Sequence, residues 1–517
     1  MAMATKSVHI RRDGLLMRIF PLDERLGNVL RQRLTYKRSK YLATAVERRK
    51  AGNRHMLFYK VRCYKILTLA DKTKQLVTNS GYFRRIAVLL HKLGYSFDVK
   101  DLRPLGRAGA FVVRKETIDA TNFRPRQKEI LLKMLTTNRA QIHYPTGAGK
   151  SFLARVVCGA LPKARIVFTT RHQAVLKEVY ASLKQNLPNV GIYCSDMKAN
   201  IGARVMCCSA GSLHKAVDWK PDLIIGDETH ELATANLLEK LSYFKYCRFI
   251  GLSANYRDRM DGVDFELEGL FGPVIATLSY EDAVKVGLVV PIHVHWRHVY
   301  CQDMLGPKPS RIDKQRFGFW RNAARNKLIA QDARRFPNEQ VLIVVKTIEH
   351  AVYLGKLLPE YTLCYAPGSA DARIQKWIER GLLPPTYRPL TKKGLDDLKK
   401  QFEAGTLRRV IATSVWNRGV NFHNLSVLIR AGGGASKLDD TQIPGRLSRL
   451  GKSYGLLLDY FDDFNDQTNS EAWSRYRQYR RRKWQQRDPE AESDEKSTSR
   501  RLNPKPKPLP KPKSRRK

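Results

Sequence analysis

The residues Pro145-Thr146-Gly147-Ala148-Gly149-Lys150-Ser151 have the composition and order of a loop that holds a triphosphate. Glycines let the backbone wrap close to phosphate oxygens, so that successive N–H groups and the start of the following helix face the anion. Lys150 can then reach the β and γ phosphates, and the Ser151 hydroxyl can ligate magnesium. The first glycine of the usual GxxxxGK[ST] spacing is replaced by Tyr144. A second group lies downstream, in Leu223-Ile224-Ile225-Gly226-Asp227-Glu228-Thr229-His230. An apolar run ending in adjacent carboxylates is costly to bury unless a cation neutralises them. Asp227 suits the magnesium, and Glu228 suits polarisation of an attacking water. An acidic turn capping a helix accounts for one acid but not for the pair. Together the two segments predict a site for ATP and Mg2+.

Both segments must sit at the ends of strands. Short apolar runs alternate with helical stretches between residues 121 and 290, with strands expected at Gln141–Tyr144, Arg165–Thr169, Arg204–Cys208, Asp222–Gly226 and Arg248–Leu252. The alternation resumes over 291–470, at Gln340–Val345, Tyr361–Tyr365, Arg409–Thr413, Val427–Ala431 and Gly455–Tyr460. Two such series predict an α/β protein with two tandem, doubly wound parallel-sheet lobes, ligands lying at the carboxyl ends of the strands. Residues 1–120 form a basic α+β domain in this reading. Leu57–Lys65 alternates as a half-buried strand, and Gly81–Leu90 has helical spacing that ends near Gly94. Residues 471–517 are read as a basic helical extension followed by a disordered tail, because Pro alternates with Lys over Asn503–Lys513.

The chain of 517 residues carries a formal net charge of +46, distributed along its length. Such an excess favours polyanionic partners, and nucleic acid above all. Cys63, Cys158, Cys194, Cys207, Cys208, Cys247, Cys301 and Cys364 include no CxxC pair, which argues against zinc and for core thiols in a reducing cytoplasm. Arg11, Arg12 and Asp13 interrupt any signal-peptide core, and no apolar run reaches membrane-spanning length. The expectation is a cytoplasmic protein, neither secreted nor membrane-bound.

Over residues 120–465 the order of these segments resembles that of superfamily 2 helicases, in the DExH-related branch of the phage UvsW-type, XPB-type and RecG-type enzymes. The resemblance implies two RecA-like lobes, 121–290 and 291–470, and assigns further roles. Arg124 and Gln127, in Phe123–Gln127, would meet the adenine. Thr169, Thr170 and Arg171, then Ser212, would contact the nucleic-acid backbone, as would Thr413 in the second lobe. His230 of Asp227–His230, with Ser253, Ala254 and Asn255, would couple hydrolysis to strand movement. Gly419 lies in the segment resembling motif V. Gln442, Gly445, Arg446 and Arg449 match QxxGRxxR, whose arginines would reach the γ-phosphate from the second lobe, an arrangement worth about 10³–10⁵ in rate. Asn255 and Asn421 replace the Thr and Asp usual at their positions, so coupling is expected to differ more than hydrolysis.

The function implied is an ATP-dependent DNA helicase that translocates on DNA and unwinds it or migrates branches, in recombination, repair or fork processing. The alternatives are a translocase that remodels protein–DNA complexes without strand separation, and a helicase acting on RNA or RNA–DNA hybrids. DNA, forked or branched, is the favoured partner. Lys60, Arg62 and Lys65, interleaved with Tyr59 and Tyr64, could supply phosphate contacts and base stacking in the N-terminal domain, or those aromatics could be core.

Overall fold

In the computed structural model the described residues are 6–41, 49, 52, 56–254, 263–300, 310–369, 371–416, 422, 424–434, 444–448 and 451–488. They cluster into two compact units. The first takes the described residues of Met1–Val290, Val415–His423 and Lys437–Ser453, and the second those of Pro291–Ser414, Asn424–Ser436 and Tyr454–Lys517. The Lys/Pro-rich tail lies outside the described residues.

The first unit opens with strands β1 (Ser7–Asp13), β2 (Leu16–Phe20), β3 (Thr35–Tyr41), β4 (Met56–Arg62), β5 (Tyr64–Thr68), β6 (Lys74–Asn79) and β7 (Ser96–Arg103). Five of them form a sheet in the order β5-β6-β2-β1-β7, in which β1 and β7 run parallel. Alternation in β1 sends Val8 and Ile10 into a core with Met17, Ile19, Leu30 and Leu90. The expected helix is present as Phe83–Lys92, and Gly94 follows it with a positive φ. The reading of Leu57–Lys65 as one half-buried strand needs correction. Cys63 separates β4 from β5, and β4 pairs only with β3 as a two-stranded ribbon. Phe58 is 62% exposed and Tyr59 43%, so neither is core, whereas Tyr64 packs against the N-terminal core.

The N-terminal sheet is fastened to the helix Asp264–Phe271. Arg85 pairs with Glu268, Tyr36 and Arg38 with Glu266, and the Tyr82 hydroxyl donates to the Phe265 carbonyl at 2.8 Å. Glycine is required at this junction, because a Cβ on Gly81 would collide with the Glu268 carbonyl.

Next come β8 (Arg139–His143), β9 (Ile166–Thr170), β10 (Val190–Tyr193), β11 (Lys198–Ala199), β12 (Val205–Ser209), β13 (Leu223–Asp227), β14 (Arg248–Ser253) and β15 (Val274–Thr277). They form one sheet in the order β11-β10-β12-β9-β13-β14-β8-β15, parallel except for the short β11. Its central strands are buried at every position, which explains their continuous apolar runs.

The second unit contains β16 (Ile292–Tyr300), β17 (Val341–Val344), β18 (Thr362–Cys364), β19 (Arg409–Ala412), β20 (Val427–Arg430), β21 (Gly455–Asp463) and β22 (Gln485–Arg487). All pairings are parallel, in the order β18-β19-β17-β20-β21-β16-β22. The helix Asp466–Arg481 leads into β22, so the chain beyond residue 470 completes this sheet. Among the described residues no helix is long and apolar enough to cross a membrane.

Candidate nucleotide site

Strand β8 ends at His143, and the loop that follows turns into the helix Lys150–Ala160. Gly147 and Gly149 have φ of 86° and 96°, a region that favours glycine. A Cβ on Gly149 would also collide with the Gln127 amide, which donates to the Ala148 carbonyl at 3.0 Å. Gln127 accepts from the Arg124 N–H at 3.0 Å, and the turn between them is set by Arg126 in the left-handed region. Both ends of the Gln127 amide are therefore engaged within the chain. Here it braces the phosphate loop, and its second N–H and second oxygen lone pair are left for the expected contact with adenine. Lys150 stands at the first helical position with its Nζ 3.2 Å from the Tyr144 carbonyl. Ser151 follows it, half-buried.

The carboxylates come from β13. Asp227 is 4% exposed, and Glu228 takes the left-handed conformation with φ of 48°. For a non-glycine residue this is a strained state of the kind stored at functional sites. It turns the Glu228 carboxylate toward Lys150, whose Nζ lies 3.4 Å from Oε1. Oε2 lies 3.4 Å from both the Ala254 N–H and His230 Nδ1. Burial, then the neighbouring Glu228 charge, pushes the Asp227 carboxyl up to about 7. Burial also opposes ionisation of Glu228, but Lys150 and then His230 outweigh it and hold that carboxyl below its ordinary value. A buried acid raised in this way, with a second acid beside it, is suited to receive a divalent cation.

Strand β14 ends beside this pair, where Ser253 Oγ lies 2.8 Å from His230 Nδ1. Two residues unmarked by any sequence pattern extend the network: Glu231, 6% exposed, pairs with His172, which follows β9. Thr169 and Thr170 end β9 on the same edge of the sheet, but both are buried. Arg171 is exposed, so of these three expected backbone contacts it alone offers its side chain. Ser212 bonds Ser209 Oγ at 3.0 Å, and Thr413 is buried at the end of β19 in the second unit.

The segment Pro444–Ser448 clusters with the first unit. A Cβ on Gly445 would lie 3.2 Å from Thr146 of the phosphate loop. Arg446 is 6% exposed and packs over the Phe422 ring at 5.7 Å. Gly419, Asn421, Gln442, Arg449 and Asn255 lie outside the described residues.

In the second unit a buried ionic network was hidden in the sequence. Arg325 pairs with Asp462 at 2.6 Å and Arg475 with Asp459 at 3.1 Å, both arginines being fully buried. They also donate to the carbonyls of Ala431, at 2.6 Å, and Gly434, at 2.8 Å. Residues 431–434, which follow β20, are thereby fixed at two carbonyls.

Comparison with known proteins agrees with this arrangement. Residues 120–258 match the family described as type III restriction enzyme, res subunit. A putative helicase of a Sulfolobus islandicus filamentous virus is 22% identical over 404 residues, covering 69% of this chain and 67% of the relative. Among solved structures, S. cerevisiae Dbp5 bound to RNA and ADP BeF3 superposes with a TM-score of 0.51 at 14% identity, over 75% of this chain and 97% of that one. Bacteriophage T4 UvsW covers 93% and 99% of the two chains at 14% identity, with a TM-score of 0.41. The family match runs through both the phosphate loop and the acids facing Lys150, and with the viral relative it supports an ATP-dependent helicase or translocase of the superfamily 2 type.

Proposed function

We propose that this protein is an ATP-dependent DNA helicase acting on forked or branched DNA. The observation that carries the reading is the Glu228 carboxylate, set by a left-handed backbone against Lys150 at the foot of the phosphate loop. ATP enters with its β and γ phosphates on the loop N–H groups and Lys150. Ser151 and Asp227 are the residues that would hold magnesium, which when bound neutralises charge between those phosphates. Glu228 orients a water against the γ-phosphorus and takes its proton. The oxygen–phosphorus bond forms as the bond to the β–γ bridging oxygen breaks, and ADP leaves. Arg446 stabilises charge on the transferring phosphoryl group, a role supported by the closeness of Gly445 to Thr146. Arg449 shares that role by its place in the sequence, and Gln442 binds the nucleotide.

His230 and Ser253 join the acids to the end of β14, and His172 with Glu231 joins them to the end of β9, beside the exposed Arg171. Through these links the state of the triphosphate reaches the strand ends that grip the backbone. DNA is favoured because the order of motifs follows enzymes of the UvsW, XPB and RecG type. The exposed ribbon of β3 and β4 adds stacking surface in Phe58 and Tyr59, with Lys37 5.9 Å from the Phe58 ring.

The test is steady-state ATP hydrolysis in the presence of single-stranded DNA, duplex, forked DNA and an RNA–DNA hybrid, with strand displacement followed on the fork. Strongest stimulation by the fork, with displacement, supports the reading. Stimulation by the hybrid alone would replace DNA as substrate.

A further inference from the structure

At the edge of the eight-stranded sheet where β8 and β14 begin, opposite the phosphate loop, lies a cavity of about 510 Å3. Arg12, Arg84, Arg103, Arg139 and Arg248 line it, and Asp101 is its one acidic lining residue. Asp101 is already committed, accepting from Arg12 Nε and Nη2 at 2.7 Å each. Arg103 lies 3.6 Å from Asp13 and donates to the Tyr246 hydroxyl at 2.8 Å. Among the described residues Arg84, Arg139 and Arg248 have no carboxylate within ion-pair distance.

The two deeper guanidiniums have only neutral partners. Arg139 is 7% exposed, donates to the Leu270 carbonyl at 2.7 Å and the Gly14 carbonyl at 3.4 Å, and faces the Phe249 ring. Burial pushes its guanidinium down to about 10. Arg248 donates to the Leu135 carbonyl at 3.3 Å and lies 3.5 Å from the Phe111 ring, while its buried Nε has no hydrogen-bond partner. Cations buried without a counter-charge are costly, and an incoming anion removes that cost. A further attraction comes from the helix Phe83–Lys92, whose first residues, Phe83 and Arg84, line the same cavity. Its first turn holds no acid and no side chain caps it, so its dipole also favours negative charge. The volume exceeds that of a lone phosphate and suits one with its flanking sugars.

We propose that this cavity binds a phosphodiester of the nucleic-acid backbone, at a second contact on the edge of the sheet away from the nucleotide site. The inference rests on nucleic acid being the partner, as argued above. Arg84, exposed at the rim, captures the strand, and Arg248 holds the phosphate within.

The test is equilibrium binding of fluorescently labelled duplex DNA to the full chain across a salt series. Arg84→Ala, Arg84→Glu and Arg248→Gln are compared with the wild type, and melting temperature is recorded for each. Loss of one phosphate contact lowers the slope of log K against log salt by about 1. A charge-assisted bond lost with it weakens binding roughly tenfold or more. The expected result is a shallower slope in Arg84→Ala and Arg248→Gln, a larger loss in Arg84→Glu, and unchanged affinity for an ATP analogue in the Arg84 variants. Wild-type slope and affinity in both Arg84 variants overturn the second contact and leave the helicase reading standing. Absence of salt-dependent DNA binding by the wild type overturns both.

Discussion

His230 Nδ1 and Ser253 Oγ lie 2.8 Å apart, joining the end of β13, where the two acids sit, to the end of β14. The same ring nitrogen is 3.4 Å from Glu228 Oε2, so one histidine touches the proposed base and the neighbouring strand end together. The proposed coupling would therefore run from Glu228 through His230 to the end of β14. In His230→Ala, ATP binding persists and basal hydrolysis stays within roughly tenfold, since the loop and acids remain. Stimulation of turnover by nucleic acid is lost. A variant stimulated as strongly as the wild type removes His230 from the coupling.

Gly445, the neighbour of Arg446, lies against Thr146 of the phosphate loop. Arg446→Ala is expected to bind an ATP analogue normally and to lose about 10³-fold or more in turnover. The measurement is kcat beside analogue affinity, and near-normal kcat rules out the role.

The second unit depends on buried charge. Arg475 contacts Asp459, Asp462 and the carbonyls of Gly434 and Tyr460 while fully shielded from water. Removing one partner leaves the other charges buried, at about 3–5 kcal/mol. Arg475→Met should lower the unfolding midpoint accordingly. A denaturation midpoint equal to that of the wild type contradicts this account.

In the N-terminal sheet region Asp23 caps the helix Glu24–Arg33 through the Leu26 N–H at 2.7 Å. That bond, followed by the Tyr95 hydroxyl and Lys6, lowers its carboxyl to about 2 from an ordinary 3.8. A carboxyl depressed on folding adds stability above its unfolded value, and this is lost as pH falls through the folded value. Asp23→Ala should cost about 1 kcal/mol at neutral pH. The difference between variant and wild type should shrink between about pH 4 and 2. A difference independent of pH across that window assigns the effect elsewhere.

Much of the architecture could be read from residue order, for identifiable reasons. Strands of a parallel sheet covered on both faces are apolar throughout, so Ile166–Thr170, Leu223–Asp227 and Val341–Val344 fell within a residue of their expected positions. Val274–Thr277 is only partly buried and lacks a continuous apolar run, and Ile292–Tyr300 alternates His with apolar residues because its outer positions pair with Asp and aromatic partners. The closeness of Lys150 to Glu228 was legible because a Gly-rich turn before a Lys and adjacent acids after an apolar run are both local patterns at strand ends. The Gln127 brace, the His172–Glu231 pair and the Arg325–Asp462 link were not, since each joins residues distant in sequence that carry no local pattern. Exposure of Phe58 was hidden for a related reason. An alternating strand announces two faces, but only its partners decide whether either face is covered, and β4 has β3 alone.

The central claim is that Glu228, held against Lys150, drives hydrolysis of ATP that nucleic acid stimulates. The most direct measurement is phosphate release by the wild type and by Glu228→Gln, with and without forked DNA, alongside affinity for an ATP analogue. The account predicts stimulated turnover in the wild type, and in Glu228→Gln intact analogue binding with turnover reduced by about 10²–10⁴. Unimpaired release by Glu228→Gln, or a wild type indifferent to every nucleic acid, would contradict it.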